Sequence, residues 1–141
     1  MKGWALITGA ARRIGRTTAL ALADAGFDII VHYHTAHDEA ETLARNIQKL
    51  GRKAHLVSVD LNDTQAVRDL LPRLTDELGA ISVLVNNASL FEPDSADVDG
   101  SRHTAINVTA PRLLSEAFYA AKIKQLSIVN LLDSNPAKPN F

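Results

Sequence analysis

Short apolar runs alternate with longer amphipathic stretches along this chain. Ala5-Leu6-Ile7 reads as a buried strand running into Gly9. From about Ile14 to Ala25 the apolar positions take a helical period, and Gly26 suits the left-handed residue that ends a helix. Phe27 to Tyr33 is a second strand, marked by the β-branched run Ile29-Ile30-Val31. A helix from about His37 to Leu50 closes at Gly51, and Ala54 to Val59 is a third strand. Asn62 or Asp63 can cap a helix that reaches Leu78 and stops at Gly79. Ile81 to Val85 forms a fourth strand, Asp97 to Ala121 a long helix, and Leu126 to Leu132 a fifth strand.

Strands apolar on both faces, alternating with helices, indicate a parallel sheet covered on both sides. The expectation is an α/β doubly wound, Rossmann-like sheet in the order 3-2-1-4-5. Two stretches are loop-rich: Phe91 to Gly100, and Ser134 to Phe141 with Pro136 and Pro139. The pattern stops just after a strand, where such a sheet normally continues. Residues 1–141 are therefore expected to be a single domain that is the N-terminal part of something longer, without its C-terminal strands. A protein that ended at Phe141 is expected to self-associate through the open edge of the fifth strand.

Composition narrows the partners. The 141 residues carry 15 Lys+Arg against 16 Asp+Glu, a net charge of -1, which offers no field for nucleic acid or an anionic membrane. No cysteine is present, so a disulfide scaffold, a thiolate zinc site and a thiol nucleophile are excluded. No apolar run approaches the roughly 18 residues of a membrane span, and Trp4 to Ile7 is too short for a signal sequence. A soluble cytoplasmic domain acting on a small molecule is the expectation.

Chemistry concentrates after the first strand, in Thr8-Gly9-Ala10-Ala11-Arg12-Arg13-Ile14-Gly15-Arg16. Glycines here let backbone approach a pyrophosphate, and the next helix presents unpaired N–H groups. Five residues separate Gly9 from Gly15, and Arg16 stands where a P-loop needs Lys, so the loop is not a Walker motif. It also departs from Gly-x-Gly-x-x-Gly, and taken alone it would serve a plain strand–turn–helix.

Together with other motifs it resembles the Thr-Gly-x-x-x-Gly-x-Gly fingerprint of the short-chain dehydrogenases/reductases, with Arg13 for the middle glycine. Asp60-Leu61 sits where that family holds the adenine, Asn86-Asn87-Ala88-Ser89 matches Asn-Asn-Ala-Gly, and Asn107 matches the family's helix asparagine. The resemblance implies that Gly9, Arg12, Arg13, Ile14, Gly15, His34, Thr35, Asp60, Leu61, Asn87, Ala88 and Ser89 bind a nicotinamide cofactor. Arg13, His32-Tyr33-His34, Ser89-Leu90-Phe91 and Asp133 further resemble the pteridine reductases. That likeness implies a substrate held by Arg13 and stacked on Phe91, with Asp133 in place of the usual catalytic serine.

Charge selects between cofactors. A site for the NAD ribose diol places an acid at the end of the second strand. None lies between Ile29 and His37, and the first beyond is Asp38. Arg12, with His34 and Thr35, can meet a 2′-phosphate instead, so NADPH is the expected cofactor. A solvated surface arginine is the plainer reading of Arg12. His32, His34 and His37 lie close in sequence, but without cysteine a structural zinc site lacks ligands; they read as strand-end and cofactor-rim residues, and no metal is expected.

Asn107 and Pro111 are four apart in one helix, so the Asn107 carbonyl loses its usual donor. Such a carbonyl can hold an ordered water, which in this family belongs to a proton relay; the same spacing also describes a plain kink. Asp133 ends an apolar strand, where burial would raise its pKa and suit it to proton donation, or where it simply starts a turn. The family's Tyr-x-x-x-Lys pair is not found: Tyr33 and Tyr119 are followed four residues later by His37 and Ile123. The expectation is an NADPH-dependent reductase of a C=N or C=O group in a planar, pterin-like substrate, homo-oligomeric when complete. The rivals are a 3-oxoacyl or general carbonyl reductase and a catalytically incomplete nucleotide-binding fragment.

Overall fold

The computed structural model describes residues 2–90 and 100–132. Five parallel strands form one sheet: β1 (Trp4–Ile7), β2 (Asp28–Tyr33), β3 (Ala54–Ser58), β4 (Ile81–Asn86) and β5 (Ser127–Asn130). Their order is β3-β2-β1-β4-β5, the expected one. Between them run α1 (Arg13–Asp24), α2 (His37–Lys49), α3 (Thr64–Leu78), α4 (Ser101–Thr104) and α5 (Ala110–Ala120).

The period-2 alternation of the central strands sorts their side chains into two cores. Leu6, Ile30 and Leu84 face the side covered by Leu70 and Leu74 of α3 and by Leu114 and Phe118 of α5. Ala5, Ile7, Ile29, Val31, Val83 and Val85 face Ala19 and Ala23 of α1 and Leu43 and Ile47 of α2. This double coverage explains the nearly continuous apolar runs of the central strands. The small alanines of α1 bring that helix close to β1 and β2, which fixes where its N-terminus lies above the sheet.

The structure corrects two expectations and chooses between the alternatives of a third. The helix expected over Asp97 to Ala121 is not regular: between α4 and α5, Ala105–Thr109 form a π turn, with the Ala110 N–H donating to the Ala105 carbonyl. Pro111 follows directly; its ring crowds the carbonyl four residues back and it has no N–H to donate, so the helix widens ahead of it. The first residues of that expected helix, up to 99, lie outside the described residues. β5 is shorter than Leu126 to Leu132; its side chains are exposed, and among the described residues it pairs only with β4. Of the two candidate caps of α3, Asp63 is the one used, its carboxylate accepting the Ala66 N–H at 3.1 Å.

That cap yields a test. Asp63→Ala should cost about 1 kcal/mol of stability, while Asn62→Ala changes little. Urea unfolding of the two variants checks the difference.

Candidate nucleotide site

The strand order reverses between β1 and β4, and the loops leaving the C-terminal ends of β1, β2 and β4 meet there. They enclose a cleft of about 670 Å³. Open α/β sheets bind ligands at such a switch point. Gly9, Arg12, Arg13, Ile14 and Gly15 line one side, His34, Thr35 and Leu61 another, and Asn87, Ala88 and Ser89 a third. Eleven of the twelve residues expected to hold a cofactor thus share one cavity, and Asp60, the twelfth, adjoins Leu61. An apolar hollow of about 330 Å³ between α3 and α5 and a polar one of about 600 Å³ at Arg52 and His55 do not touch the glycine loop.

The loop's shape is set by a hydroxyl. Thr8 is buried, and its Oγ1 accepts the N–H groups of Asn87 and Ala88, each at 3.0 Å. The Asn87 side-chain amide returns the contact, donating to the carbonyls of Thr8 at 2.9 Å and Gly9 at 3.0 Å. The amide of Asn87 therefore faces the protein and ties the first loop to the fourth. Gly9, at φ +61°, packs against the Ala88 backbone, where a Cβ would lie 3.0 Å from Ala88 Cα. At Gly15 a Cβ would sit 2.5 Å from Asn87 Nδ2 and closer still to the Gly9 carbonyl oxygen. Gly15 is thus demanded by the protein's own packing.

Arg13 occupies the fingerprint's middle glycine position with φ +53°, in the left-handed region. A non-glycine residue there costs about 1 kcal/mol. The conformation explains why that position favours glycine, and here it carries a guanidinium on the cleft wall instead. The residue before it, Arg12, provides no side-chain cap for α1, whose first turn also holds no acid. Its uncapped N–H groups and positive dipole end face the cleft through Arg13, Ile14 and Gly15, an arrangement suited to a phosphate group.

His32 lines the cleft and is at the same time a buried brace. Its Nδ1 accepts the Gly9 N–H at 3.0 Å, and its Nε2 lies 2.8 Å from the Val59 carbonyl oxygen. A carbonyl can only accept, so Nε2 carries the proton and the ring is neutral. Burial pushes the pKa down to about 4 from 6.5, against the opposing pull of the Val59 carbonyl. The other histidines diverge from it: His34 Nε2 lies 4.0 Å from an Asp60 oxygen, and His37 bridges the Tyr33 hydroxyl at 2.8 Å and Glu41 at 3.1 Å. Among the described residues no group of three His, Cys, Asp or Glu side chains is placed to hold a metal ion.

Two residues do more than expected. Arg12 is not a free cation: one oxygen of Glu39 accepts from its Nη2 at 2.8 Å and its Nε at 3.2 Å. Asp60 turns the chain into α3 by accepting the Asn62 N–H at 2.9 Å. Where Leu90 and Ile106 line the cleft, the Asn107 side chain in the π turn clamps Leu90, accepting its N–H at 2.8 Å and donating to its carbonyl at 3.1 Å. Asn107 is thereby bound to the loop after β4 through its side chain, in addition to any role of its carbonyl. Phe91 and Asp133 lie outside the described residues. Sequence reasoning missed Thr8, the first letter of the fingerprint, whose burial gives it the latch role. It also missed Glu39, 27 positions from Arg12 and without any spacing signal.

Comparison with known proteins places the chain in a family. The model described as short chain dehydrogenase matches residues 3–135, and the chain belongs to that family. It is 32% identical over 117 residues to a short-chain dehydrogenase/reductase, FrzI, of Cladobotryum sp, covering 80% of this chain and 45% of the relative. It is 40% identical over 107 residues to the 3-oxoacyl-[acyl-carrier-protein] reductase FabG of Aggregatibacter actinomycetemcomitans, covering 73% and 44%. Among solved structures it resembles FolM alternative dihydrofolate reductase 1 of Brucella suis in complex with NADP, with TM-score 0.81 and 35% identity over 94% of this chain and 60% of that one. A metagenomic short-chain oxidoreductase in complex with NADP gives TM-score 0.83 at 27% identity, covering 96% and 66%. The chain spans less than half the length of these curated relatives.

The His32 brace predicts a pH response. Between pH 6.5 and about 4 the unfolded chain binds a proton at His32 that the folded chain refuses. This residue's contribution is therefore complete above pH 6.5 and is lost as pH falls toward 4, by about 3 kcal/mol. Urea unfolding across that range measures the loss, and an NMR titration should place the His32 midpoint near 4; a midpoint near 6.5 would refute the brace.

Proposed function

We propose that this chain forms the nucleotide-binding part of an NADPH-dependent reductase. The observation that carries the reading is the arginine-edged cleft at the sheet's switch point, walled by a glycine loop and an uncapped helix N-terminus. The residues fit a dinucleotide phosphate: Gly9 and Gly15 let the loop close tightly on Asn87 and Ala88, so that its backbone forms the cleft wall, and Arg12 and Arg13 stand on its rim. NADP in the related solved structures supports the choice. The cofactor supplies the hydride, and the chain's own residues bind and orient it.

For the substrate we favour a planar, pterin-like molecule reduced at C=N or C=O. The likeness to an alternative dihydrofolate reductase supports it, together with Arg13 in the fingerprint. In this reading Arg13 and Phe91 contact the substrate, and Asn107 and Asp133 serve the proton path; the active protein is a cytoplasmic homo-oligomer. The identity to FabG proteins favours a second reading, a 3-oxoacyl reductase.

Arg12→Ala should weaken NADPH binding by about 1.5–3 kcal/mol and leave NADH nearly unaffected. Titration calorimetry with both nucleotides measures this, and equal affinity of the native protein for the two would refute the cofactor assignment. Turnover assays of the intact protein address the substrate: reduction of a dihydropterin with NADPH is expected. Reduction of acyl thioesters without any pterin turnover selects the second reading.

A further inference from the structure

We propose that Glu39 is a specificity-determining residue of the cleft, its carboxylate competing with the cofactor's 2′-phosphate for Arg12 and thereby limiting the preference for NADPH over NADH. The inference rests on the cofactor reading above and adds a residue from α2 that does not itself line the cleft.

The geometry is that of a rival ligand. Glu39 Oε1 takes both donors along one edge of the Arg12 guanidinium, Nη2 at 2.8 Å and Nε at 3.2 Å. That is an edge a phosphate oxygen would also use, since an arginine binds oxyanions through paired N–H groups. Arg12 reaches the pair from the cleft wall, between the glycine loop and the turn at Thr35 and Ala36, so a phosphate bound there meets the same guanidinium. Both side chains are exposed, at 61% and 47%, so the pair contributes little to folding. As a first-turn residue of α2, Glu39 is also favoured by the positive end of that helix.

The carboxylate remains charged at neutral pH. Its own backbone N–H and the Arg12 guanidinium hold it below the ordinary glutamate range. Asp38 adds a second acid to the same first turn of α2. A 2′-phosphate dianion drawn to Arg12 therefore has to displace or sit beside a negative charge. A 2′-hydroxyl faces no such opposition, because it can donate a hydrogen bond to the same carboxylate. The acid absent from the end of β2 is thus replaced, in electrostatic effect, by one reaching over from α2.

The two members of the pair should act in opposite directions. In the intact protein, Glu39→Gln is expected to tighten NADPH binding by about 3–10-fold while NADH affinity stays within about twofold, whereas Arg12→Ala weakens NADPH alone. Calorimetric titration of the native protein and both variants with each nucleotide reads this directly. Since both positions are exposed, circular dichroism and thermal unfolding should match the native protein. An unchanged or weakened NADPH affinity in Glu39→Gln overturns the competition, a weakened one meaning that Glu39 positions Arg12 for the phosphate. Native selectivity with an unresponsive Glu39→Gln removes only the role of Glu39; equal native affinity for the two nucleotides removes the cofactor reading with it.

Discussion

Thr8 Oγ1 is the point on which the cleft depends. β1 and β4 are adjacent in the sheet but more than seventy residues apart in sequence, and their loops diverge toward opposite faces. A single hydroxyl, accepting two N–H groups from the β4 loop, holds these loops together in a buried position where leaving any of the three groups unpaired would be costly. The Asn87 amide, bridging back to two carbonyls of the β1 loop, closes the exchange. Gly15 follows from this: α1 begins so close to the bridge that no side chain fits between them. From the other flank His32 takes the Gly9 N–H, so the glycine loop is held by strands on both sides. The loop is pre-organised by its neighbours, and the helix N-terminus it leads into is free for a ligand.

The electrostatics of the cleft are balanced rather than simply basic. Arg12 is answered by Glu39, His34 by Asp60 and His37 by Glu41, in each case through exposed side chains. Such pairs contribute little to stability, and Arg12 already has a carboxylate neighbour that an incoming anion must contend with. Attraction of a nucleotide therefore rests on the uncapped first turn of α1 and on Arg13, whose strained backbone keeps it on the cleft wall. The chain's near-neutral charge agrees with this local arrangement.

The sheet was legible because its strands are apolar on both faces and its helices end at glycines with positive φ, such as Gly26, Gly51 and Gly79. The motifs were legible because the fold brings Thr8-Gly9, Asp60 and Asn87 to the C-terminal edge of one sheet. What the motifs did not convey is which way each side chain turns. Asn87 and His32 line the cleft, but the Asn87 amide also serves the loop and the His32 ring is also held between Gly9 and Val59. Arg12 reads as free because its partner comes from another element, a long-range pairing that no local pattern encodes. β5 reads as a longer strand because the apolar run extends from Leu126 to Leu132, but the pairing with β4 covers only Ser127–Asn130.

The irregular helix after β4 shows how one local defect reaches the cleft. Pro111 removes a donor, and the chain relaxes through a π turn over Ala105–Thr109 instead of kinking sharply. The extra residue in that turn rotates the preceding segment relative to α5, which remains packed through Leu114 and Phe118. Asn107, in the middle of the turn, consequently meets Leu90 edge-on and pairs with both of its backbone polar groups, as a neighbouring strand would. A regular helix would advance these residues by a different angle and leave Leu90 without that partner. Proline, π turn and asparagine therefore form one device, which holds the segment after β4 at Leu90, on the wall of the cleft.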